Sequence, residues 1–179
     1  VIIGKNDVIS KVLMSILASG HVLLDDVPGV GKTSLAVALG RTLGLEYNRI
    51  QCTPDVLPSD IVGFSVFNRD KNAFTYMPGV INKTNLLLAD EINRTSSRTQ
   101  AALLEAMEEH QVTVDGNTHA LPDPFIVIAT ENQVGAAGTQ MLPFAQLDRF
   151  LVKLDIGYPD KENEMRIIEG RQTADPFAV

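Results

Sequence analysis

A turn with two glycines followed by a lysine and a threonine, Gly29-Val30-Gly31-Lys32-Thr33, constrains this chain more than any other feature. The apolar run His21-Val22-Leu23-Leu24 precedes it, and Leu35, Leu39 and Leu43 recur on one helical face after it. A short continuous apolar run suits a strand covered on both faces, so the segment predicts strand, loop and helix in immediate succession. In that context the pattern G-x-x-x-x-G-K-[ST] has a definite use. The glycines let successive N–H groups curl round phosphate oxygens, and the helix starting near Lys32 offers its positive end. Lys32 is placed to reach the β- and γ-phosphates of a nucleotide, and the Thr33 hydroxyl to ligate Mg²⁺. Asp26 stands where the pattern has its first glycine; aspartate tolerates left-handed backbone angles better than most residues.

The rest of the chain repeats the alternation. Val8, Ile9, Val12, Leu13, Ile16 and Leu17 recur at helical spacing, and Gly20 follows where a left-handed cap often ends a helix. Strands are predicted over 49–53, 85–89, 125–130 and 150–156, with a helix marked by Ala101, Leu104 and Met107 between the second and third. Such alternation predicts a doubly wound, largely parallel α/β sheet, and 179 residues suit a single core. Two segments interrupt it. Val112 and Val114 flank Asp115-Gly116, a hairpin signal, and Phe64, Val66 and Phe67 face Phe74 and Tyr76 across residues 68–72. Both read as inserted hairpins, either surface decoration or projections that touch neighbours.

Composition narrows the function. A net charge of −7 with fifteen scattered Lys and Arg argues against a nucleic-acid surface, which needs clustered cations. No apolar run is long enough to span a bilayer and no signal-like start is present, so a cytoplasmic chain without membrane insertion is expected. Cys52 has no cysteine to pair with and no metal-ligand neighbours in sequence; it reads as a small buried apolar residue.

Leu86-Leu87-Leu88-Ala89-Asp90-Glu91 supplies the complement to the phosphate loop: an apolar strand ending in two carboxylates. Asp90 is placed to hold Mg²⁺, directly or through water. Glu91, turned the other way by strand alternation, is placed to polarise an attacking water as general base. Taken together these residues make the chain resemble the ATPase core of the MoxR family of AAA+ proteins. The matching stretches include 20–24, 27–33, 57–63, 87–94, 99–109, 111–116, 128–130 and 146–150, and they cover nearly the whole chain.

The resemblance implies a P-loop AAA+ fold, a chaperone-like ATPase that matures, activates or inserts metal into partner complexes, and a ring, usually hexameric, with ATP between subunits. It implies a nucleotide-contacting run Pro28, Gly29, Val30, Gly31, Lys32, Thr33 and Ser34, with Ile3 and Gly4 lining the adenine pocket. It identifies residues 55–76 as the helix-2 insert and 112–120 as the hairpin before sensor 1, sensor 1 itself as Asn132, and Arg149 as the arginine finger. Arg94 is a second candidate for reaching a neighbour's nucleotide, or else a surface ion pair. The chain departs from the family at Asp26, at Glu131-Asn132-Gln133 where Gln-Asn-Pro is usual, and at Phe144 where a glutamate is usual. It also stops at Val179, before the helical lid that carries sensor 2, so a core without its lid is expected. The expected activity is MgATP hydrolysis that remodels a protein partner. The other readings are a nucleotide-gated binding module with negligible turnover and a DNA-translocating motor, the latter opposed by the acidic balance.

Overall fold

Strands buried on both faces require helices on both sides, and the fold supplies them. A computed structural model of the chain describes residues 2–25, 29–131 and 142–173. Helix α1 (Asn6–Leu17) leads to β1 (Val22–Asp25), α2 (Lys32–Leu43) and β2 (Tyr47–Gln51). After α3 (Pro58–Val62) come β3 (Phe64–Asn68), β4 (Ala73–Met77), β5 (Leu86–Asp90) and α4 (Ser97–Glu109). Then follow β6 (Gln111–Val114), β7 (Asn117–Ala120), β8 (Ile126–Glu131), α5 (Phe144–Leu147), β9 (Val152–Leu154) and α6 (Lys161–Thr173).

Five strands form one parallel sheet in the order β2-β5-β8-β1-β9. Alternate residues feed two cores. Val22, Leu24, Leu86, Leu88, Ile126 and Ile128 pack with α1 and α2. Leu23, Leu87, Ala89, Val127 and Ala129 pack with α3 and α4. The doubly wound α/β class expected from the alternation is the one observed.

Local differences have physical causes. The β2 strand starts two residues before its expected position, where Tyr47 pairs with Leu86; as a sheet edge it carries exposed Asn48 and Arg49 and so has a weak apolar signature. Phe150 and Ile156 are apolar because they pack into the two cores, not because β9 extends to them. Leu104 and Met107 are buried as expected, whereas Ala101 is exposed and α4 buries Leu103 and Ala106 beside them. After α1 the left-handed residue is Ser19 at φ 54°, and the role of Gly20 is room, since a Cβ there would lie 2.5 Å from Leu151.

Both predicted hairpins exist as separate two-stranded sheets. In β6–β7, Asp115 and Gly116 both have positive φ, as a two-residue primed turn requires. The β3–β4 hairpin pairs Phe64 with Met77 and Phe67 with Phe74, and leaves Phe74 73% exposed. It emerges through a neck where Gly63 and Gly79 cross: a Cβ on Gly79 would stand 2.1 Å from the Ile61 carbonyl oxygen, and one on Gly63 2.4 Å from that of Met77. Tyr76 stacks on His119 of β7 at 3.7 Å between ring centroids, so the two hairpins touch.

Candidate functional site

A parallel sheet points all its carboxyl ends to one edge, where ligands bind in open α/β folds. The strand order sets β5, β8 and β1 side by side, so Asp90 and Glu91, Glu131, and Asp25 line that edge together. Asp25 leads into the phosphate loop. Gly29 and Gly31 have φ of 87° and 93°, and a Cβ at either would meet nothing within 4 Å. Glycine is required there by backbone conformation rather than by space. Lys32 opens α2 and is only 8% exposed; Thr33 and Ser34 are half-buried in the same first turn. Pro28 and Asp26 lie outside the described residues, as do Asn132 and Gln133.

Asp90 is buried, and both of its oxygens are engaged. Oδ1 accepts from the Thr130 hydroxyl at 2.6 Å, and Oδ2 accepts from Arg49 at 2.6 Å. Thr130 Oγ1 also accepts from the Glu91 backbone N–H at 2.9 Å, so one hydroxyl orients both acids. The register that sets Ala89 opposite Ala129 brings Thr130 alongside. Glu91 itself sits in the left-handed region at φ 57°, ψ 49°, a conformation that costs a non-glycine residue about 1–2 kcal/mol. Its carboxylate pairs with Arg94 at 2.6 Å across a single 3₁₀ turn. The acid expected to act as base and the arginine offered for a neighbour's nucleotide therefore meet within one chain.

Arg149 donates to the Leu104 carbonyl at 2.6 Å and pairs with Glu108 at 2.9 Å, beside a shallow depression of about 300 Å³ also lined by Met107, Ala145 and Asp148. Its side chain stays about one-third exposed. Ile3 is half-buried. Gly4 has φ 72° and lies so close to Asn163 that a Cβ would fall 2.3 Å from its amide, which places this segment against α6.

Cys52 is buried, and its N–H donates to the Asp90 carbonyl. Burial, reinforced by the nearby charges of Asp90 and Glu91, pushes its thiol up to about 12, so it is an inert packing residue as expected. At the opposite flank Lys153 bridges Asp25 at 2.8 Å and Glu131 at 2.7 Å. Burial works against its charge, but the hydrogen bonds it donates to the two carboxylates, with their negative charge, outweigh it and hold its pKa above the usual lysine range. Thr130, Arg49 and Lys153 were not singled out by the sequence; a threonine and a glutamate closing the apolar run before Asn132 were the available signal.

Among the described residues no group of three or more His, Cys, Asp and Glu is placed to hold a metal. Mg²⁺ takes only one or two hard oxygens from protein, and the Asp90 carboxylate and the Thr33 hydroxyl are oxygens of that kind that could hold it. Among the described residues no helix is long and apolar enough to cross a membrane.

The family described as "ATPase family associated with various cellular activities (AAA)" matches residues 21–152. The chain is 53% identical over 99% of its length to the uncharacterized protein YeaC of Bacillus subtilis, covering 55% of that protein. It is 43% identical over 94% of its length to Chaperone MoxR1 of Mycobacterium tuberculosis, covering 44% of it. It thus spans about half the length of these curated relatives. A crystal structure from Cytophaga hutchinsonii, described as that of a candidate ATPase, aligns with TM-score 0.84 at 42% identity over 98% of this chain and 53% of that one.

Proposed function

The chain belongs to the MoxR group of the ATPase family associated with various cellular activities, and from that premise we propose that it binds MgATP, hydrolyses it, and uses the energy to remodel a protein partner. The observation that carries the reading is the convergence of Lys32, Asp90 and Glu91 at one sheet edge, with Glu91 held in a strained backbone conformation. Backbone strain of that kind clusters at catalytic sites.

Each residue has a physical task. Gly29 and Gly31 present backbone N–H groups to the phosphates, with Pro28, Val30 and Ser34 in the same contacting run. Lys32 matches charge on the β- and γ-phosphates. Thr33 and Asp90 hold Mg²⁺, which when bound draws charge from the phosphate oxygens. Glu91 takes a proton from the attacking water, and Asn132 orients that water or the γ-phosphate. Ile3 and Gly4 border the adenine. Arg149 of an adjacent subunit closes the far side of the γ-phosphate in a homo-oligomeric ring, and the inserts at 55–76 and 112–120 face the partner.

One observation favours slow turnover in the isolated chain, as for a nucleotide-gated binding module: Asp90 and Glu91 are each paired with an arginine of the same chain. The readings separate on two variants. Lys32→Ala is expected to weaken MgATP binding about 10²-fold by calorimetry, the worth of a charge-assisted contact. Glu91→Gln is expected to keep binding and lose hydrolysis by roughly 10²- to 10⁴-fold. If wild-type protein assembled as a ring turns over no faster than Glu91→Gln, the binding module is the correct reading.

A further inference from the structure

Glu131 closes β8 directly before Asn132, and its partner in the fold is Lys153. In the register of the parallel sheet, Asp25 lies opposite Glu131 and Leu23 opposite Lys153. Since Asp25 is two residues beyond Leu23, all three charged side chains leave the sheet on one face. Adjacent parallel strands lie about 4.8 Å apart, so two carboxylates at the same level repel each other unless a cation is set between them. The Lys153 ammonium group is that cation, with one N–H directed at each acid. The Glu131 side chain is only 10% exposed, which limits the screening that water provides.

What the three charges join matters more than the charge balance. Asp25 ends β1 and opens the phosphate loop; Glu131 ends β8 and is followed by Asn132; Lys153 lies on β9, four residues after Arg149. We propose that Lys153 is a positioning residue for hydrolysis, whose ammonium group fixes the ends of β1 and β8 against each other and ties both to the segment that carries Arg149. This rests on the reading of Asn132 given above. The pairing makes no contact with nucleotide of its own; it sets where the phosphates and the attacking water stand relative to each other. A displacement of about 1 Å in such an arrangement costs on the order of 10²-fold in rate.

The test is Lys153→Met in the active assembled protein. The rate constant kcat is expected to fall on the order of 10²-fold, while ATP affinity by titration changes little; the thermal midpoint is expected to fall as well, because Asp25 and Glu131 are left facing each other without a cation. Lys153→Arg, which keeps the charge, is expected to recover most of the rate. Glu131→Ala removes the same contact from the other side, so the double variant is expected to lose no more than Lys153→Met alone. It also carries the test if Lys153→Met does not fold. In nucleotide-free protein, hydrogen exchange is expected to quicken at the amides of 129–131 and 23–25 in Lys153→Met and not elsewhere in the sheet. A wild-type kcat in Lys153→Met, or in Glu131→Ala if that variant carries the test, overturns the proposal. So does a parallel fall in kcat, ATP affinity and thermal midpoint that Lys153→Arg fails to rescue, since that marks a residue serving the fold alone. Asn132→Ala separates the two levels: full activity there removes the reading of Asn132, whereas loss there with none in Lys153→Met removes only the role of Lys153.

Discussion

The carboxyl edge of the sheet and the two hairpins treat their side chains in opposite ways. At the edge, Asp90 spends both oxygens on protein donors, Glu91 is held by Arg94, and Asp25 and Glu131 share Lys153. In the hairpins, Phe64, Val66, Phe67, Phe74 and Met77 are 46–73% exposed, with the Phe67–Phe74 edge-to-face pair among them. Chemistry on charged groups needs fixed geometry, because each charge-assisted bond is directional and its loss is expensive. An exposed apolar surface tolerates change, since nothing in the chain depends on where those atoms lie. The edge should therefore be sensitive to single atoms and the hairpins insensitive to whole rings.

The largest effect expected is at Arg149. Arginines supplied across an interface are worth roughly 10³- to 10⁵-fold in phosphoryl transfer. Arg149→Ala is expected to lose hydrolysis on that scale in the assembled protein, and mixing it with Lys32→Ala subunits should restore part of the activity, one lending the arginine and the other the phosphate loop. Its bonds to Leu104 and Glu108 within the chain give the competing outcome: a lowered thermal midpoint and no recovery on mixing would make Arg149 a clamp on α4.

Thr130→Val should come next. It removes the hydroxyl that orients Asp90 and accepts the Glu91 amide, and a bond to a charged group is worth about 1.5–3 kcal/mol, or roughly 10- to 10²-fold in rate. Steady-state kinetics at saturating MgATP would show it; an unchanged kcat would mean the edge is looser than its bonds suggest.

A smaller effect concerns pH. His21 is buried with Nδ1 accepting from the Val127 N–H and Nε2 against the Met107 carbonyl, which requires the neutral ring. Burial lowers its pKa, only partly opposed by the Met107 carbonyl, while His110 adds to the lowering. The unfolded chain then binds the proton near pH 6.5 while the folded chain does not. Stability is accordingly full above that pH and declines as pH falls below it, by up to about 1.4 kcal/mol per unit. Denaturant titrations from pH 7.5 to 5 should show this slope, and His21→Gln should lack its share of it.

The smallest effect is expected at Phe74→Ser: about 1 kcal/mol or less in stability, the worth of one exposed ring pair, with MgATP affinity unchanged. A large loss of affinity would erase the contrast between edge and hairpins.

What could be read from residues alone follows the same division. The phosphate loop, Asp90, Glu91 and both hairpins were legible because each is local: neighbouring residues carry the whole pattern. Arg49, Thr130 and Lys153 were not, since their partners lie far along the chain and are chosen by the order β2-β5-β8-β1-β9, which no single stretch encodes. Arg94 was visible as a charge but not as the partner of Glu91, because the left-handed turn that folds one back on the other has no sequence signature when glutamate adopts it.

The crossing of Gly63 and Gly79 also bears on how such a chain can diverge. Two backbones pass with room for hydrogen and nothing larger, so those positions admit no side chain without prising the strands apart. Beyond that gate, residues 64–77 are held by the neck and by the stack of Tyr76 on His119, and the outer part of the hairpin is where length or lettering can be exchanged. The neck works as a socket: one sheet body can present different surfaces simply by changing what is plugged into it.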